Sequence, residues 1–185
     1  MPQEKIGSIA WLKESQGRLT LGSRLALLRR VLTPNTAGII ETLLRLGKDE
    51  RLHLEEVPLP DSPAVKHALD ELESCASNSV IQHSFRNYLW SAGFGEIGKL
   101  TYDPEFLLIG CLLHDLGMTD RHRNGACHCF AGDSALAAAA LMRKAGWAEC
   151  QTESLADMIC LHMNGHVTPS DGHEQGECVL VRKFK

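Results

Sequence analysis

Aromatic residues are scarce in this 185-residue chain, at 5% of the total. Strict apolar/polar alternation of any length is missing too. Sheet-rich folds lean on β-branched and aromatic side chains in that pattern, so a sandwich or barrel is not expected. Nowhere does an apolar run approach the roughly 20 residues that cross a bilayer. The N-terminus MPQEKIGSIA lacks the basic-then-apolar layout of an export signal. There is no glycine-rich phosphate loop of the Walker kind, no Ser-His-Asp order and no internal repeat. The formal net charge of -4 offers no attraction for nucleic acid or a membrane surface. Seven cysteines, an odd number scattered through apolar segments, read as small buried hydrophobes rather than a disulfide framework. A cytoplasmic location, a small-molecule substrate and a possible homo-oligomer are the expectations.

What is present is leucine and alanine at helical spacing, cut by clear punctuation. Residues 20–31 repeat leucine every three or four positions. Thr33-Pro34 predicts a helix that stops at Gly47. The three prolines of EEVPLPDSP predict extended chain, and Ser62-Pro63 starts a helix running to about Cys75. Asn78 is the expected cap of the next helix, ending at Gly93 and Gly95. Asp103-Pro104-Glu105 opens FLLIGCLLHDLGM, apolar almost throughout and so the expected central helix. Asp133 or Ser134 is expected to cap an alanine-rich helix stopping at Gly146, and Thr152 to cap a last one ending at Asn164-Gly165. The fold expected is all-α: one compact helical bundle over residues 61–176, with an N-terminal helical extension over 1–60 and a divergent or truncated tail over 177–185.

His114 and Asp115 are the strongest chemical signal, because they close a helix built from leucine, isoleucine, phenylalanine and cysteine. An unpaired charge there would cost several kcal/mol, on the order of 3 or more. Neighbouring helical residues point about 100° apart and can flank one ion near a helix end. His83, in the middle of the preceding long helix, is the expected third ligand. Imidazole and carboxylate together suit first-row transition metals. A His-Asp pair by itself is commonly a hydrogen-bonded cap, so spacing alone leaves both readings open.

The wider context sharpens this. LPDSP (59–63), HSFRNY (83–88), YDPE (102–105) and LLHDLGMTDR (112–121) together resemble the HD superfamily of metal-dependent hydrolases, closest to its cyanamide hydratase-like branch. The resemblance covers roughly residues 55–175. It implies a helical domain and a divalent metal held by His83, His114 and Asp115, zinc for the cyanamide hydratase-like branch; the ligand chemistry leaves iron, manganese or nickel as alternatives. The resemblance also implies hydration of a nitrile, or phosphate-ester hydrolysis as in other members. The family's fourth ligand is an aspartate on a later helix, which finds no counterpart before the chain reaches ECVLVRKFK. An inactive helical binding or regulatory domain is therefore a third expectation.

Around these ligands, Asp115 is a candidate to accept a hydrogen bond from the attacking water. Arg86 is a candidate to meet an anionic substrate, with a surface ion pair as the alternative. His162 is a candidate to face substrate or support the ligands, with a core histidine as the alternative. Tyr88 reads as core, and Asp120 and Arg121 as solvated or at the pocket mouth. Cys127-His128-Cys129 with His122 lacks the second Cys pair of a structural zinc site; a lid that brings Phe130 to substrate is the other reading. His166 and His173 read as loop residues.

Overall fold

The computed structural model describes residues 6–29, 54–97, 100–123, 129–163 and 182–183. Seven helices lie among them: α1 (Ile9–Ser15), α2 (21–29), α3 (Pro63–Cys75), α4 (Asn78–Ile97), α5 (Pro104–Leu113), α6 (Phe130–Lys144) and α7 (Glu149–Leu161). The architecture is an all-α bundle. The only strands among the described residues are β1 (Leu100–Thr101) and β2 (Arg182–Lys183), which pair antiparallel over two residues. No helix among the described residues is long and apolar enough to cross a membrane.

Helix α5 sits at the centre for a reason visible in its composition. Asp103 caps it, its carboxylate accepting from the Glu105 and Phe106 N–H groups, and Pro104 occupies the first turn. From Phe106 to Leu113 every residue but Leu107 is buried. A leucine fully withdrawn from water contributes roughly 1.5–3 kcal/mol, so this one helix carries a large share of the driving force. Helices α3, α4, α6 and α7 pack around it. Helix α3 turns Val65, Ala68 and Leu72 inward at three- and four-residue spacing, after the Ser62 hydroxyl has capped its first turn.

The alanines of α6 let α7 approach closely, and the two form a hairpin around Ala135, Ala138, Met142, Leu155 and Ile159. Its turn is a Schellman closure. Gly146 takes a φ of +89° while Trp147 N–H bonds Met142 O and Gly146 N–H bonds Arg143 O. Trp147 then stacks on Phe106, centroids 5.7 Å apart. Tyr88 is fully buried and donates its hydroxyl to Pro58 O, and burial pushes its phenol up to about 12. That agrees with its reading as core.

Several boundaries differ from expectation. Asn78 is the first residue of α4, and the Val80 and Ile81 N–H groups bond Ser77 O. Gly93 and Gly95 do not end that helix, which runs to Ile97 with both glycines buried; a ring of Tyr102 lies where a Gly95 side chain would be. Helix α6 starts at Phe130, so Asp133 and Ser134 lie inside its first turns. Thr152 is also internal, its hydroxyl donating to Glu149 O, and α7 starts after Ala148. At each of these three helix starts the polar residue able to cap lies zero to four residues past the first helical position. Helix α1 falls within the N-terminal extension expected to be helical, although no start or stop was read for it; it docks on α7 through the Ile9 N–H, 2.7 Å from Asp157 Oδ1, with Ile9 and Leu12 buried. The helix expected from Thr33-Pro34 to Gly47 lies outside the described residues, as does the tail apart from 182–183.

The stretch FLLIGCLLHDLGM is not one helix. The α-helix ends at Leu113, His114 is its C-terminal cap, and Leu116–Met118 form a separate 3₁₀ turn. Gly117 makes this turn possible: a Cβ there would stand 2.2 Å from Phe130 O and 2.9 Å from Ser134 N, both backbone atoms. Gly117→Ala is expected to destabilise the fold by about 3 kcal/mol, because helix backbone cannot move aside. Gly110→Ala is expected to be near neutral. Its Cβ would stand 1.7 Å from Met158 Cε, the far end of a flexible side chain that can swing aside, with Leu155 Cδ1 at an ordinary 3.6 Å, and alanine regains about 1 kcal/mol of helix propensity. Equilibrium denaturation of the two variants checks the contrast.

Candidate metal centre

Each side chain of the candidate centre owes its place to a local structural decision. His83 lies near the start of α4, beside Ser84, whose buried hydroxyl donates to Val80 O. It looks outward, 53% of its side chain exposed. His114 and Asp115 leave the end of α5 and are both buried. The switch from α-helix to 3₁₀ turn at this point directs both toward His83. His83 Nε2 stands 3.6 Å from Asp115 Oδ2, and His114 Nε2 stands 3.2 Å from the same oxygen. One nitrogen or oxygen from each residue falls within 4.8 Å of the other two.

The tautomer of His114 follows from its other nitrogen. Nδ1 lies 2.8 Å from Cys111 O, and a carbonyl can only accept, so Nδ1 must donate. A neutral His114 then aims the Nε2 lone pair at a carboxylate oxygen, an arrangement of two acceptors that needs a proton or a cation between them. This pattern, one imidazole nitrogen anchored to backbone and the other turned inward, is that of metal-ligating histidines. The donor set N, N, O fits a divalent first-row ion with coordination positions left over.

His162 joins the group from the end of α7. Its ring lies 5.1 Å from that of His114, edge on, and 6.0 Å from Phe130. Its Nδ1 is anchored in the same way, 2.5 Å from Ile159 O. Of the residues singled out by sequence, then, His83, His114, Asp115 and His162 come together, and Phe130 borders them. Arg86 is exposed on α4, one turn from His83, and among the described residues no ion pair joins it to the cluster. Asp120 is exposed. Arg121 is drawn away to Glu71 Oε1 at 3.1 Å, and Arg123 donates to Met118 O. Cys127, His128, His166 and His173 lie outside the described residues, and Cys129 is the residue before α6.

Two features were not foreseen. Ser134 receives the Gly117 N–H at 2.8 Å and donates to Phe130 O, tying the 3₁₀ turn to α6. Asp133 is 2% exposed, and its Oδ1 has no hydrogen-bond partner among the described residues. Spacing along the chain reveals neither the Ser134 contacts nor the unpartnered Asp133 oxygen. Compared with models of protein families, with curated proteins and with solved structures, the chain matches none.

Electrostatics couple the four groups. Burial raises the Asp115 carboxyl, but donation from His114 Nε2 when that ring is protonated and the positive fields of His114, His162 and His83 outweigh it and leave it below the ordinary value. Burial lowers the His162 imidazole, and His114 and His83 lower it further, against the opposing pull of Ile159 O and Asp115. The signs give a stability profile for metal-free protein. A depressed histidine takes up its proton in the unfolded chain first, so stability is full above the ordinary value of about 6.5 and falls as pH drops below it. A depressed aspartate adds a second loss at lower pH, as pH falls through its folded value. Replacement His162→Gln is expected to remove the first loss and keep the second, measured by urea denaturation across that range.

Proposed function

We propose that the chain is a metal-dependent enzyme of the HD type that uses an activated water on a small neutral molecule, as in the cyanamide hydratase-like branch. The observation carrying this reading is the convergence of His83, His114 and Asp115, with the His114 Nε2 lone pair and the Asp115 carboxylate facing one another at 3.2 Å. His83, His114 and Asp115 would hold a divalent transition ion, zinc in the first instance. When bound, such an ion lowers the pKa of water toward neutrality and polarises a substrate atom.

The chain's own groups supply the rest. Asp115 keeps a carboxylate available at neutral pH to accept a hydrogen bond from the attacking water, helped by its lowered proton affinity. Burial favours the neutral form of His162, whose ring lies edge-on to that of His114 while Nδ1 stays on the Ile159 carbonyl. In that neutral tautomer Nε2 is an acceptor, and His162 would take a proton or accept a hydrogen bond beside substrate. Phe130 covers one side of His162.

A second reading, hydrolysis of a phosphate ester, needs cations around the metal to meet phosphoryl oxygens. Arg121 and Arg123, the nearest supply in sequence, are engaged with Glu71 and Met118 O. Arg86 is left as the described cation nearest His83 in sequence. This favours a neutral substrate over an anionic one. The fourth family ligand has no assigned residue, which keeps an inactive binding domain as the reading that a negative result would support.

The test is metal content followed by turnover. Purified protein loaded with zinc, iron, manganese or nickel is expected to gain a tightly held ion, and His114→Ala to lose about one equivalent relative to wild type. Full retention of metal by that variant would sink the ligand assignment. Loaded protein is then assayed for cyanamide hydration and for hydrolysis of generic phosphate esters, with metal-free protein as control. Arg86→Ala is expected to leave hydration of a neutral substrate within about threefold of wild type, since an exposed cation contributes little without an anion to meet. A phosphohydrolase would lose far more.

A further inference from the structure

Glu71, Cys75 and His122 form another cluster of ligand-type side chains, outside the set just described. Glu71 and Cys75 are four residues apart on α3 and so share a face one turn apart. His122 arrives from the turn that follows Leu116–Met118. One carboxylate oxygen, the sulfur and an imidazole nitrogen lie within 4.8 Å of one another, and all three residues are half-buried. His122 Nε2 is 2.8 Å from Glu71 Oε1. The Cys75 sulfhydryl donates to Glu71 O at 3.2 Å and is free of any disulfide.

We propose that Glu71, Cys75 and His122 constitute a second, structural metal site that takes zinc through one oxygen, one sulfur and one nitrogen, with water in the fourth position. The mixed donor set is what selects the ion. Thiolate and imidazole together suit zinc and disfavour magnesium or calcium, and three protein ligands with one open position satisfy its tetrahedral habit. Seating the ion parts Glu71 Oε1 and His122 Nε2, now 2.8 Å apart, to the roughly 3.3 Å that two ligands about 2.0 Å from a tetrahedral ion keep. That movement is within the reach of side-chain torsions on α3 and in an exposed turn.

Arg121 already contacts Glu71 Oε1 at 3.1 Å and Ser74 Oγ at 2.5 Å. Its guanidinium is 53% exposed, and an exposed pair of this kind contributes little. A divalent cation therefore displaces it from the carboxylate. On binding, Cys75 exchanges its S–H bond for a bond to the ion and releases one proton to solvent. The consequence is mechanical. The last turn of α3 becomes tied to the segment just past Asp115, so the ion braces the turn on which the first centre stands.

Cobalt(II) reads this site separately, because a thiolate ligand gives a sulfur-to-cobalt charge-transfer band and His83, His114 and Asp115 contain no sulfur. Full-length protein titrated with cobalt(II) under reducing conditions is expected to develop that band, complete within about two equivalents because the first centre takes cobalt as well, and zinc is expected to abolish it. Cys75→Ala should eliminate the band. His122→Gln, a change on a half-exposed turn that leaves the helices intact by circular dichroism, should weaken cobalt binding beyond the roughly 10- to 100-fold that loss of an outer-shell partner costs. His114→Ala should leave the band unchanged, which keeps this outcome independent of the proposed enzymatic function. No sulfur-to-cobalt band in wild type, or one that persists in Cys75→Ala or keeps its affinity in His122→Gln, overturns the proposal.

Discussion

The contact between Gly117 and the first turn of α6 governs how the candidate centre is built. Gly117 N–H donates to the Ser134 hydroxyl, and the missing Cβ lets the 3₁₀ turn rest directly on Phe130 O. Were the chain to continue as helix past Leu113, His114 and Asp115 would stay about 100° apart around its axis. With Gly117 seated there, the chain breaks from α5 at His114, and both side chains turn toward His83. The same contact brings the start of α6, and with it Phe130, against the end of α7, where His162 stands. A single close approach of backbone to backbone thus assembles residues from four helices at one point.

The chemistry then follows from burial and from hydrogen bonds to carbonyls. Two of the three histidines, His114 and His162, give Nδ1 to the carbonyl three residues earlier, an option open to a side chain at the last turn of a helix. Their inward nitrogens are therefore fixed in kind as well as place. Because Asp115 is buried among imidazoles, its charge depends on positive neighbours, either protons or a metal ion. An apolar helix that ends in such a group has to compensate it, and a bound cation is one way to do so.

Much of the fold was legible in the sequence because its causes are local. Asp103-Pro104, Ser62-Pro63 and the glycine at 146 specify caps and a stop through hydrogen bonds and φ angles that involve a few adjacent residues. The burial of α5 follows from its composition, since a helix apolar on all sides can lie only at the centre. Where reading failed, more than one residue could have served. Asn78, Thr152 and Ser134 are all competent caps, and Gly93 and Gly95 are competent stops. Packing against α5 and Tyr102 overrode these signals by burying the glycines and extending the helices.

Residue types alone therefore determined the helical class, the central place of α5 and the pairing of a histidine with an aspartate at its end. Periodicity and capping act over a few residues, and those suffice for such features. Only the tertiary structure decided that His83 and His162 meet that pair, that Arg121 is drawn off to Glu71, and that Cys75 stands near His122. These are contacts across about 30 to 50 residues of chain, set by how helices cross and how closely Gly117 lets them approach. No local pattern encodes such distances, because they depend on the summed shape of the whole core.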